Sequence, residues 1–401
     1  MAALASRRRY GENMTKPLRI VVAGYAVGFP LGGQVWMMLH FAAGLARLGH
    51  DVLFLEETAD WAYPFDPVLG YAGTDSTRGR AIVDKLFAAH GLAGRWAYRS
   101  DIEGRLYGLD QASLDRKLAE ADFFLNISGV IPLREEYTRI PVRAVIDTDP
   151  VFTQVKVASE AWSHDYFAAH QTCFTYGYNL PAGTTGVPLS NIDWKPLLPP
   201  VILDCWPVGE GPGAGYTTIG TWEAKDRDVE VAGRHLSWRK NVKYEAILDL
   251  PGRLPGVALG MAMSGMKENA DRYRAAGWDV RDALEISRDP DRYRDYIRAS
   301  RGEFTIAKDQ NVVLKSGWFS DRTAAFLAAG RPAVVEDTGF GAYLPTGEGL
   351  FPFEGPEAAM AAIAQVEADP LRAGRAARAI AEEFFDSDKV LAGLLRQCGL
   401  A

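Results

Sequence analysis

Cysteine is scarce: the 401-residue chain has three, Cys173, Cys205 and Cys398, far apart and odd in number. No metal-ligand spacing links them, which argues against a disulfide framework or zinc knuckle and leads to the expectation of a reducing cytoplasm. Positive charge is in deficit, since 44 Lys and Arg against 51 Asp and Glu leave a net charge of −7. Nucleic acid and anionic membranes are therefore not expected as partners. Nowhere do about eighteen apolar residues run uninterrupted, which excludes a spanning helix. The opening "MAALASRRRYGENMTK" has basic residues but no apolar run behind them, so it is not a secretory signal, and a disordered tail is expected over 1–16. Internal repeats at solenoid periods are missing too. The dinucleotide fingerprint Gly-x-Gly-x-x-Gly is also lacking, because Gly24, Gly28 and Gly32 are evenly spaced four apart. That argues against a nicotinamide cofactor, and no cofactor is expected.

What is present is an alternation of apolar strands and helices in two series. The first opens with the strand "LRIVVAGYAVG", the loop "FPLGGQ", the helix "VWMMLHFAAGLARLG" and the strand "HDVLFLEE". It continues through "ADFFLNISG" and "VRAVIDTDP". A Gly- and Pro-rich passage from Tyr176 to Pro212 separates it from the second series, which has strands in "YTTIGTW", "VALGMAMSG", "WDV", "EFTIAKD" and "RPAVVED". Such alternation predicts an α/β protein with two Rossmann-like, doubly wound domains, 17–208 and 209–385, facing across a cleft. A last helix over 386–401 closes the chain, expected to cross back to the first domain.

The stretch "SGWFSDRTAAFLAAGRPAVVEDTG" carries the most chemistry. Ser320 is placed as an N-cap, Gly330 as a helix stop, and Pro332 blocks continuation. Free backbone N–H groups near Asp321, Arg322 and Thr323 then make an anion site. Trp318 and Phe319 are large apolar residues on a turn, where they read as walls of a pocket.

Three patterns together resemble the glycosyltransferases of GT-B fold. They are "LGGQVWMMLHFAAGLARLGHDVLFLEE", "DRTAAFLAAGRPAVVEDTG" and the terminal "ARAIAEEFFDSDKVLAGLL". The resemblance implies transfer of a sugar from a nucleoside-diphosphate sugar to an unidentified acceptor, without a metal. It places the donor at Arg239, Lys240, Ser316, Gly317, Trp318, Phe319, Ser320, Asp321, Arg322 and Thr323, and an acceptor or phosphate loop at Gly32, Gly33 and Gln34. Retaining members usually carry two glutamates with seven residues between them. Aligned on Gly330 and Pro332, those positions are Gly317 and Ala325, so Asp321 or Glu336 is expected to meet the ribose instead.

A general base is sought next. The loop from Gly24 to Gln34 has neither His nor Asp, and His40 sits inside an apolar helix as a buried structural residue. That favours a retaining mechanism. Asp147 and Asp149, at the end of an apolar strand, are the candidate catalytic carboxylates; the Asp-Thr-Asp they form is read as non-metal. A sugar-nucleotide epimerase and a catalytically degenerate scaffold are the competing readings.

Overall fold

A computed structural model describes residues 16–58, 63–223 and 227–400. Apart from Lys16, the tail expected over 1–16 lies outside the described residues.

Most strands are short β-branched or aromatic runs followed by a helix, a pattern that pairs in parallel. In the first half the strands are β1 (Arg19–Ala23), β2 (Asp51–Thr58), β3 (Trp96–Ser100), β4 (Arg105–Gly108), β5 (Phe123–Ile127), β6 (Val142–Asp147), β7 (Thr172–Thr175) and β8 (Trp194–Pro196). They lie in the order β8-β7-β6-β5-β1-β2-β3-β4, parallel except for the β3–β4 pair. The order reverses between β1 and β5.

In the second half β9 (Tyr216–Thr217) and β10 (Ile219–Thr221) are one strand interrupted at Thr218. They are followed by β11 (Gly260–Ser264), β12 (Asp279–Arg281), β13 (Gly302–Thr305), β14 (Ala333–Glu336) and β15 (Leu350–Phe353). β10 pairs with β11 and then β12, whereas β9 pairs with β13, β14 and β15 in turn, all in parallel. The first strand of this half thus has the second on one side and the fourth on the other. That is a doubly wound sheet, with its ligand crevice expected beyond β10 and β13.

Four helices hold the halves together. Helix α1 (Gly32–Arg47) is apolar nearly all round and buried over most of its length. The N-terminal turn of α2 (Pro290–Ala299) meets it from the second half: the Trp36 indole N–H donates to the Pro290 carbonyl at 2.8 Å. Helix α3 (Asp321–Ala328) lies beside both and belongs to the same apolar core as α1. The last helix, α4 (Ser387–Gln397), packs on α1, where a Cβ on Gly44 would stand 2.5 Å from Leu391 Cδ1. Leu391 and Leu394 are fully buried there, and each such side chain contributes roughly 1.5–3 kcal/mol. Reciprocal backbone bonds, Val201 N–H to Phe385 (2.7 Å) and Ser387 N–H to Val201 (2.9 Å), fasten the return.

Candidate functional site

Beyond the ends of β10 and β13 lies a cleft of about 440 Å³ between the halves. The first half contributes Phe29, Gln34, Trp36 and Met37; the second contributes Thr218–Thr221, Trp238, Lys240, Lys308, Trp318 and the start of α3. At one end Met263, Ala283 and Leu284 make an apolar wall.

The cations in this cleft differ in what they already hold. Arg322 is committed: its Nε donates to Glu303 at 2.6 Å, Nη1 to the Ile219 carbonyl at 2.7 Å and Nη2 to Thr305 at 2.9 Å. Glu303, which local pattern makes the polar lead-in of a strand, is fully buried beneath it. Lys308 is shared between the Asp149 carboxylate at 3.0 Å and the face of Trp238. Lys240 is different. Among the described residues its ammonium has no ion pair and no hydrogen bond, only the Trp318 ring 6.0 Å away. Burial, with Arg322 and Lys308 adding repulsion, pulls it down to about 7.

The N-terminus of α3 is not an open anion site. Ser320 caps it by accepting from Thr323 N–H at 3.1 Å. Asp321 directs its carboxylate back to its own amide, and the Tyr176 hydroxyl reaches it across the halves at 3.2 Å. Burial pushes the Asp321 carboxyl up to about 7. It lies one helical turn before Ala325, so both project onto the same face, and both line the cleft. Glu336, the other expected ribose contact, is occupied by Ala307 N–H (2.9 Å) and Lys243 (2.9 Å).

Other expectations are corrected by packing. Phe319 is core: it stacks on Phe385 with centroids 4.9 Å apart and meets Phe340 edge-on. Thr323 is buried behind the Ser320 cap. Ser316 is buried too, bonded to Asn311 at 2.8 Å. Gly317, with φ of 73°, lies against Asn179 so closely that a Cβ would be 2.7 Å from the amide carbon. Arg239 is exposed and faces Glu223 at 3.7 Å, outside the cleft lining. Gly32 and Gly33 serve contact between the halves, since a Cβ on Gly32 would stand 2.4 Å from Tyr293 Cβ. Gly33 and Gln34 do line the cleft, and the Gln34 amide donates to the Tyr25 carbonyl at 2.9 Å.

The two candidate catalytic aspartates are both engaged. Asp147 is buried, accepting from Thr175 (2.7 Å), Gln154 (2.8 Å) and the amide of Asp149 (2.9 Å). It holds the strand-to-helix turn, where Val151 sits at φ 73°, a strained angle for a β-branched residue. Asp149 crosses between halves to Lys308 and Arg227, the latter at 3.3 Å. Both carboxylates are thus already engaged by protein groups. His40 is structural: the Trp206 indole donates to its Nε2 at 3.0 Å, and burial lowers it to about 3.

Glu56 is the residue that sequence reasoning missed. From the end of β2 its buried carboxylate accepts from Ala26, Val27 and Gly28 amides, each at 2.6 Å. The amides of the first loop therefore already enclose an anion. Burial pushes this carboxyl up to about 7 against those three donors. Its only sequence signal was a carboxylate ending an apolar strand.

No protein-family model matches the chain, and no curated protein matches its sequence. Solved structures do. Anabaena Alr3699/HepE in complex with UDP and glucose is 10% identical and superposes with a TM-score of 0.55 over 95% of this chain and 100% of that one. An alpha-glucosyltransferase in complex with UDP and a 13-mer DNA is 11% identical, TM-score 0.57, over 96% and 100%. Sucrose-phosphate synthase from Thermosynechococcus elongatus is 13% identical, TM-score 0.52, over 96% and 99%. Two doubly wound sheets facing one cleft, matched along nearly the whole chain, are the GT-B fold of the glycosyltransferases.

Proposed function

We propose that this chain is a glycosyltransferase that takes a sugar from a nucleoside-diphosphate donor, with UDP the first nucleotide to test. The observation that carries this reading is Lys240: a desolvated ammonium, with no anion paired to it among the described residues, at the switch-point crevice of a GT-B fold. A diphosphate supplies that anion. As the bond from the sugar's anomeric carbon to the distal phosphate breaks, negative charge grows on the leaving oxygen, and Lys240 stabilises it with Arg322 behind. This is positive charge supplied by side chains, so the reading is metal-independent.

Asp321, which lines the cleft, is assigned to the ribose hydroxyls, and the apolar Met263, Ala283 and Leu284 end to the base. With Asp147 and Asp149 both engaged within the protein, the leaving phosphate is the group that receives the acceptor's proton, the retaining course. The epimerase reading finds no support, because His40, the one histidine among the residues lining the cleft, has its ring locked against Trp206. Incubation with UDP-, GDP- and TDP-sugars tests the assignment. Release of nucleoside diphosphate that Lys240→Met reduces is expected; no turnover and no binding of any of them overturns it.

A further inference from the structure

The passage between the halves is clasped by arginines. Arg378 Nη1 donates to the Trp206 carbonyl (3.1 Å), Arg298 Nε to Pro207 (3.0 Å), Arg331 Nη1 to Gly211 (2.9 Å) and Arg301 Nε to Gly213 (3.2 Å). Under this strap is a second cavity, of about 240 Å³, which shares no lining residue with the donor cleft. Its charged lining is Arg301, Arg331, Arg375, Arg378 and Glu382.

The charges there do not balance. Glu367 holds Arg301 at 2.8 Å and Glu382 holds Arg378 at 2.8 Å. Arg331 and Arg375 have no carboxylate partner among the described residues. Arg331 is only 4% exposed, and its Nε finds no hydrogen-bond acceptor among the described residues. Gly209 lies flat on this guanidinium, since a Cβ there would stand 2.3 Å from Nη2. Burial and the nearby Arg298 and Arg301 lower the pKa of Arg331, the opposite of what a satisfied ion pair does. A buried cation that lines a cavity, beside a second guanidinium with no carboxylate partner among the described residues, makes an anion site.

We propose that this cavity binds a phosphate dianion through Arg331 and Arg375, at the strap joining the two halves. Two unpaired guanidiniums match a dianion, and tetrahedral phosphate offers oxygens to both forks at once. The volume exceeds a single phosphate, which leaves room for the small organic part of a monoester. Because Arg331 also holds the Gly211 carbonyl of the strap, occupancy ties the anion to the hinge between the halves.

Calorimetric titration with inorganic phosphate and, separately, glycerol 3-phosphate tests this on the full chain. Lys240→Met is expected to retain one phosphate site, and adding Arg375→Ala to weaken that site at least tenfold. Arg375 is exposed, so this variant keeps its fold. Arg331→Lys, which keeps the charge but loses the fork, is expected to weaken the same site. Tighter binding of glycerol 3-phosphate identifies a monoester ligand, and equal binding identifies free phosphate. The proposal is overturned if Lys240→Met abolishes all phosphate binding, or if the remaining site is indifferent to Arg375→Ala. Failure of the donor assignment reads differently, as a single site lost with Arg375→Ala and untouched by Lys240→Met.

Discussion

Lys240→Met removes one charge from the donor cleft and little volume, so it tests the phosphate assignment with least disturbance to packing. The Lys240 ammonium is pulled to about 7 in the unliganded cleft, and a bound diphosphate restores its preference for the charged form. Binding at pH 8 should therefore take up close to one proton. Affinity should fall as pH rises above 7, by about fifty-fold between pH 7 and 9, at tenfold or 1.36 kcal/mol per unit once the free amine dominates. The stability of the unliganded protein runs the other way. The folded pKa lies below the ordinary lysine value, so between about 7 and 10.5 the unfolded chain binds the extra proton. Stability contributed by this group thus rises with pH through that window. Calorimetry of UDP binding in buffers of different ionisation enthalpy counts the proton directly. Lys240→Met should abolish the uptake and weaken UDP by roughly 1.5–3 kcal/mol, as for a hydrogen bond to a charged group. Equal affinity at pH 7 and 9, with no proton taken up by the unsubstituted protein, would refute the reasoning.

Three further outcomes follow from the packing. Arg322→Ala leaves the buried Glu303 carboxylate unpaired and should cost about 3–5 kcal/mol in urea denaturation, mainly a loss of stability. Asp149→Asn breaks a partly exposed contact with Lys308 and Arg227 and should cost only about 0.2–1 kcal/mol. Its turnover with an accepted donor should fall less than about tenfold; a loss of about 10² or more would restore Asp149 as a base. Gly32→Ala forces a methyl group against Tyr293 and should destabilise by about 1–3 kcal/mol, measured by thermal or urea melting, whereas Gly33→Ala, whose Cβ comes nearest to the Tyr293 hydroxyl at 3.1 Å, should cost less.

The sequence alone determined the two αβ series, because strand and helix periods are local and survive any tertiary arrangement. It also placed the Ser320 cap and the Gly330 stop, which are set by residues a few positions apart. Lys240 and Asp321 were legible as cleft residues from their places after β10 and at the start of α3. What each side chain does there was not, since that depends on partners distant in the chain. Arg322 reads as a phosphate ligand until Glu303 rises beneath it from a neighbouring strand. Asp149 reads as a base until Lys308 and Arg227 reach it from the other half. Gly32 reads as part of a phosphate loop, yet its smallness admits Tyr293 from α2, while its neighbour Gly33 does line the cleft. Glu56 fills that loop from thirty residues downstream of Ala26. Charge is long-ranged and packing is mutual, so only the folded chain decided which groups were already satisfied and which, like Lys240, were left facing the cleft with no anion among the described residues.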